Sequence, residues 1–149
     1  MLIISEFDHE YAFLSNFYEK PFIYEGVEFK TAEHAFQAAK CVDKNEFNKI
    51  VEAATPGQAK RLGRRCKLRS DWEDVKVALM TDIVRAKFQD PELKAKLLAT
   101  DDATLIEGNW WHDNCWGNCS CDRCRSIKGK NNLGKILMQL RADFKHCTP

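Results

Sequence analysis

Residues 22–40 read Phe22-Ile23-Tyr24-Glu25-Gly26-Val27-Glu28-Phe29-Lys30-Thr31-Ala32-Glu33-His34-Ala35-Phe36-Gln37-Ala38-Ala39-Lys40, and the local grammar changes inside that stretch. Up to Phe29, aromatic and polar positions alternate about Glu25-Gly26, which reads as two short strands joined by a turn. From Thr31, a suitable N-cap, good helix formers run to Lys40. A sheet giving way directly to a helix places the chain in the α+β class. Upstream, Tyr11-Ala12-Phe13-Leu14-Ser15-Asn16-Phe17-Tyr18 shows the same alternation and predicts a further short strand. Downstream, helices are expected over about 45–54, 56–64, 72–88 and 91–99. In the last helix Leu133, Ile136, Leu137, Leu140 and Phe144 form an apolar stripe that must face a core. The expected architecture is predominantly helical α+β, with a small N-terminal β-sheet packed against a helical bundle.

The 149 residues are 44% hydrophobic, enough for a single domain over 1–149 that buries a core and retains a cleft. No repeat, low-complexity tract or linker interrupts it. Charged residues make up 30%, yet 23 Lys and Arg nearly cancel 22 Asp and Glu, for a net charge of +1. That balance argues against a protein that coats nucleic acid or a membrane surface, while leaving room for a local phosphate patch. Met1 to Asp8 lacks the positive flank and apolar core of a signal peptide, and no stretch reaches membrane-spanning length. The expectation is a soluble, cytoplasmic protein with no membrane association. The seven cysteines are odd in number and four crowd between Cys115 and Cys124, which points to free thiols or a metal rather than a disulfide framework.

Glu33, Gln37 and Lys40 follow i, i+4, i+7 spacing, so an acid, an amide and an amine share one helix face. Spacing alone favours the plainer reading, a solvent-facing polar ladder with Ala35, Phe36 and Ala39 packing inward. A second cluster, Asn109-Trp110-Trp111-His112-Asp113-Asn114-Cys115-Trp116-Gly117-Asn118, sets three tryptophans around one Asp and one His. Aromatic faces beside a carboxylate suit a ligand that stacks while a neighbouring bond breaks. Core tryptophans with Asp113 capping a turn is the equal alternative. Lys60 to Arg69 places six cations in ten residues, enough to hold a phosphate or pyrophosphate, although such a run is more often a solvated face. Asn131-Asn132, before the last helix, suit either a phosphate or sugar hydroxyl or ordinary capping. Cys115, Cys119, Cys121 and Cys124 form C-x3-C-x-C-x2-C, with His112 upstream and Cys147 downstream. Three or four thiolates satisfy a structural zinc in number, but the span is tighter than the usual pair of knuckles, and reduced cysteines in a surface loop are the alternative. With no His-x3-His pair on the carboxylate helix, catalytic zinc is not expected.

Taken together, Phe13-Leu14-Ser15-Asn16-Phe17-Tyr18, Thr31-Ala32-Glu33-His34-x-Phe36-Gln37-x-x-Lys40, Trp72, Lys87-Phe88, Leu105-Ile106-Glu107, Asp113-x-x-Trp116-Gly117 and Asn132-Leu133-Gly134-x-x-Leu137-Met138-x-x-Arg141 appear in family order. From about Glu6 to Arg141 the chain resembles the NADAR (NAD- and ADP-ribose-associated) family of YbiA-like N-glycosidases. The resemblance implies cleavage of a bond between ribose and a nitrogenous group. The family's activities include hydrolysis of early riboflavin-pathway intermediates and removal of ADP-ribose from guanine.

Carried over position by position, the resemblance implies functional roles for Glu33, Asp113, Trp72 and Trp116, with Asn16, Phe17, Gln37 and Lys40 lining the cleft. Glu33 and Asp113 divide charge stabilisation and proton transfer, in roles that are exchangeable at this level. Lys40 offers a second mechanism, a Schiff base with ring-opened ribose. Arg64, with Arg61 and Arg65, is placed to hold phosphate, and Asn132 to contact substrate. The expected partner is a small-molecule nucleotide or an ADP-ribosylated substrate, including ADP-ribosylated nucleic acid, and catalysis requires no cofactor. The alternative is a non-catalytic module that binds ADP-ribose or a nucleotide.

Overall fold

A computed structural model describes residues 2–147. Along the chain run β1 (Ile3–Ile4), a 3-10 helix (His9–Leu14), β2 (Phe22–Tyr24), β3 (Val27–Phe29), α1 (Ala32–Ala39), α2 (Lys44–Glu52), α3 (Pro56–Arg65), α4 (Trp72–Lys87), α5 (Pro91–Ala99), β4 (Thr104–Leu105), β5 (Gly108–Asn109), β6 (Asn118–Cys119) and α6 (Asn132–His146). The fold is α+β and predominantly helical. The helices expected from periodicity are present to within a residue or two at their ends. Among the described residues, no helix is long and apolar enough to cross a membrane.

The described residues divide into two compact units, one comprising residues 16–90 and the other residues 2–15 with 91–147. In the 16–90 unit, β2 and β3 form an antiparallel hairpin pairing Phe22 with Phe29 and Tyr24 with Val27. Its turn is Glu25-Gly26, both at positive φ (50° and 78°), the geometry whose twist matches paired strands. Alternation then puts Phe22, Tyr24 and Phe29 on one face, with ring centroids 6.3 and 6.5 Å apart, while Ile23 stays exposed. The hairpin packs against α1 and α4, as expected of the small N-terminal sheet.

Tyr11 to Tyr18 departs from the expected strand. Its first half is 3-10 helix, and Phe13 and Leu14 are buried side by side. Adjacent inward side chains are incompatible with a two-residue period, so burial overrode the aromatic alternation.

In the other unit, β1 pairs with β4 in parallel and β5 with β6 in parallel. The stripe of α6 is buried as expected at Leu133, Ile136, Leu137, Leu140 and Phe144. Each fully buried side chain of this kind contributes about 1.5–3 kcal/mol. Asn131 occupies the αL region (φ 51°) and makes no side-chain cap to its own helix. Its Nδ2 donates to Leu105 O (2.9 Å) and its Oδ1 accepts from Glu107 N (3.0 Å), which ties the β4 end to the start of α6.

Candidate functional site

Helix α1 is short and almost wholly enclosed. Thr31 caps it, its hydroxyl accepting from His34 N (3.1 Å), and Asn16 O accepts from Glu33 N (3.0 Å) at the free end. Every residue from Ala32 to Ala38 is buried, including Glu33 at 8% and Gln37 at 4% exposure. The polar face that spacing alone assigns to solvent is therefore inside the unit. A buried carboxylate needs partners, and one is Gln37, whose Nε2 donates to Glu33 Oε2.

Gln37 is held from its other side by α3. A β-carbon on Gly63 would come 2.7 Å from Gln37 Cδ, so only glycine admits this approach. The sequence signal for this contact is the glycine itself, since a glycine within a helix costs about 1 kcal/mol relative to alanine and calls for a packing reason. Gln37 Oε1 and Asn16 Oδ1 are both buried without a hydrogen-bond donor. Asn16 Nδ2 points the other way, to Met80 Sδ at 3.4 Å. Gln37 Oε1 is the atom packed against Gly63, which leaves Asn16 Oδ1 as the buried acceptor suited to a hydroxyl donor.

Lys40 closes the same helix face. Its Nζ lies 5.9 Å from the Phe36 ring and 5.7 Å from the Trp72 ring, and the two rings are 5.0 Å apart. Burial lowers its pKa from the usual lysine value; Glu33 opposes this, and the charges of Arg64 and Lys60 add to the lowering. Lys60 and Arg64 are four residues apart on α3. Lys60 Nζ also lies 5.9 Å from the ring of Phe17, which is 42% exposed. Asn16, Phe17, Glu33, Gln37, Lys40, Arg64 and Trp72 thus belong to one neighbourhood within the 16–90 unit. Arg69 is committed elsewhere, to Asp71 at 2.6 Å.

His34, although flanked by functional candidates, is structural. It is fully buried, with Nδ1 2.8 Å from Thr31 Oγ1 and Nε2 3.0 Å from Ala53 O. Burial pushes its pKa down, so it sits there as neutral imidazole.

The remaining candidates lie in the other unit. Asp113 Oδ1 accepts from the backbone N–H groups of Cys115 (3.1 Å) and Trp116 (2.9 Å). Asn109 brackets the same turn, its Oδ1 accepting from Asp113 N and its Nδ2 donating to Asp113 O (2.8 Å). One carboxylate oxygen of Asp113 therefore shapes the loop, in keeping with the turn-capping alternative. Trp116 is partly buried, whereas Trp110 and Trp111 are exposed. Asn132 Nδ2 points to Cys115 Sγ at 3.7 Å.

The cysteine cluster is corrected at one position. The side chains that converge are His112, Cys119, Cys121 and Cys124, whose ligand atoms all lie within 4.8 Å of one another. Cys115, expected as a ligand, is turned towards Asn132, because the Asp113 turn carries it away from the other thiols.

The NADAR domain family matches residues 4–145, spanning both units. The chain belongs to the NADAR family. Among its relatives is N-glycosidase YbiA of Escherichia coli (strain K12), 42% identical over 135 residues, which cover 89% of this chain and 81% of the relative. The riboflavin biosynthesis protein PYRR, chloroplastic, of Zea mays is 35% identical over 132 residues, covering 80% of this chain and 20% of that longer protein. The NMR structure of Escherichia coli YbiA superposes with a TM-score of 0.83 at 38% identity, covering 97% of this chain and 86% of that one. The candidate residues Glu33, Gln37 and Lys40 lie in one unit, and Asp113 and Trp116 in the other.

Proposed function

We propose that this NADAR protein is an N-glycosidase that hydrolyses the bond between ribose C1 and a nitrogen of a nucleotide-type substrate. The observation that carries the reading is the buried Glu33 carboxylate, held by Gln37 Nε2 at the start of a helix whose face also carries Lys40, with Asn16, whose carbonyl accepts from Glu33 N, offering Oδ1 as a buried acceptor that lacks a donor. Ribose supplies hydroxyl donors to such an acceptor, and cleavage of its C1–N bond develops oxocarbenium character that a buried carboxylate stabilises. Glu33 then serves as charge stabiliser and general base towards water. Asp113, whose Oδ1 accepts from Trp116 N, is assigned by the family resemblance to handling of the water or the leaving group. Phe17, which is exposed, and Trp116 supply aromatic faces, and Lys60 and Arg64 a phosphate contact. No cofactor enters these steps. The substrate classes that fit are early riboflavin-pathway intermediates and ADP-ribosyl-guanine, free or in nucleic acid, met in the cytoplasm.

A second route is favoured by one observation, the lowered pKa of Lys40. Its neutral amine adds to C1 of the ring-opened riboside, the C1–N bond to the base breaks as a proton passes to the departing nitrogen, and water hydrolyses the resulting Lys40 imine to ribose and free lysine. Borohydride would trap that imine on Lys40, and full turnover with no trapped adduct would sink this route.

The deciding experiment is a panel of these substrates with chromatographic detection of released base and ribose product, run beside Glu33→Gln and Asp113→Asn. Glu33→Gln is expected to lose about 10²–10⁴ in rate while still binding ligand. Binding without turnover in the unaltered protein would favour the module that only recognises ADP-ribose. No product from any substrate, or full activity in both variants, overturns the assignment.

A further inference from the structure

We propose that His112, Cys119, Cys121 and Cys124 hold a zinc ion that staples the segment between β5 and the chain leading into α6. The four ligand atoms come from three places: the β5–β6 loop, β6 itself and the turn that follows it. His112 Nδ1 lies 3.4 Å from Cys124 Sγ, 3.3 Å from Cys121 Sγ and 4.0 Å from Cys119 Sγ. A zinc tetrahedron with Zn–S of about 2.3 Å and Zn–N of about 2.0–2.1 Å has edges of about 3.5–3.8 Å, so these separations fit a single ion at the centre. Three thiolates and an imidazole are also the soft donor set that selects zinc in a closed, four-coordinate site.

The backbone around the cluster holds the sulfurs in place. The backbone N–H of His112 donates to Cys119 Sγ (3.3 Å), the kind of outer contact that holds a metal-bound thiolate. Cys124 N donates to Cys121 O (3.1 Å) and Ile127 N to Cys124 O (2.8 Å), forming the tight turn that presents both sulfurs to one point. Three thiolates on a divalent ion leave one negative charge, and Arg123 and Arg125 flank it in sequence.

The segment also needs such a staple. Between Asn109 and Lys128 the regular structure is a two-residue strand pair, and Trp110, Trp111 and Ile127 are all exposed. With so little apolar burial to offset chain entropy, a metal takes the place of a core. The stapled loop carries Asp113 and Trp116, so the ion would fix the loop on which the proposed chemistry draws without touching substrate itself.

Elemental analysis of the full chain purified under reducing conditions tests the site independently of any activity. We expect about one zinc per chain, retained in Cys115→Ser and Cys147→Ser and lost by at least about tenfold in Cys121→Ser and Cys124→Ser. Because loss of a ligand thiol also removes support for the fold, the unaltered chain carries a second test. Cobalt exchanged for zinc should show thiolate charge-transfer absorption and the intense visible bands of a tetrahedral site. Chelation should speed tryptic cleavage at Arg123 and Arg125 by about tenfold, because the loop opens when the ion leaves. The site is overturned by a chain without stoichiometric zinc, by a disulfide among Cys119, Cys121 and Cys124 in mass spectra, or by loss of zinc in Cys115→Ser. Unchanged proteolysis on chelation overturns the staple.

Discussion

Gly63 and Gln37 meet so closely that the absence of a side chain on α3 sets the position of the amide on α1, with the β-carbon position 2.7 Å from Gln37 Cδ. Because Gln37 is also the hydrogen-bond donor to Glu33, packing between the two helices is transmitted to the buried carboxylate. Gly63→Ala should therefore lower kcat/KM by about tenfold to a hundredfold through a displaced Gln37, at a stability cost of about 1–3 kcal/mol. Steady-state kinetics and urea unfolding on the same preparation check both. Unchanged kinetics with reduced stability would mean that Gln37 plays no part in positioning Glu33.

Lys40 gives a pH signature. Burial lowers its pKa, so its neutral form is gained as pH rises through a value below that of an ordinary lysine. If the imine route operates, activity rises with pH across that titration. Lys40→Arg, which keeps the charge and cannot shed its proton, should lose about 10² or more in rate and lose the alkaline limb as well. A pH–rate profile of the two proteins separates this from direct hydrolysis, in which the limb persists.

His34 should make stability pH-dependent. Its folded pKa is depressed by burial, so between that value and its unfolded value of about 6.5 the unfolded chain binds more protons. Stability from this group is therefore present above about pH 6.5 and declines as pH falls through it. His34→Gln should be less stable at neutral pH, because the Thr31 and Ala53 contacts are disturbed, and should show a flatter dependence between pH 5 and pH 7. Urea midpoints across that range decide it.

Lys87 acts at higher pH. It is buried beside the Tyr18 and Phe88 rings, and burial pushes its pKa down to about 7. From about pH 7 to the unfolded value of about 10.4 the unfolded state holds the extra proton, so stability rises with pH by up to about 1.4 kcal/mol per unit. In Lys87→Met that rise should vanish, as followed by denaturant unfolding between pH 7 and pH 9.5. A rise of the same size in the variant would assign it to other groups.

What the sequence alone determined is what short-range physics controls. Thr31 caps α1, Glu25-Gly26 makes the hairpin turn, and the stripe from Leu133 to Phe144 turns α6 to its core, because each depends on neighbours within a few residues. The site residues of α1 were legible only as a shared face, together with a family resemblance that pointed to Glu33. Tertiary structure decided which way that face points. Identical i, i+4, i+7 spacing serves a solvated ladder or a buried acid, and the packing of α2, α3 and α4 around α1, with the carbonyl of Asn16 at the helix start, makes Glu33 the latter. The same holds at the cysteines. Spacing counts sulfurs, but the turn built on Asp113 sends Cys115 away and brings His112 in, since convergence at a point depends on the path of the backbone and not on the number of residues between ligands.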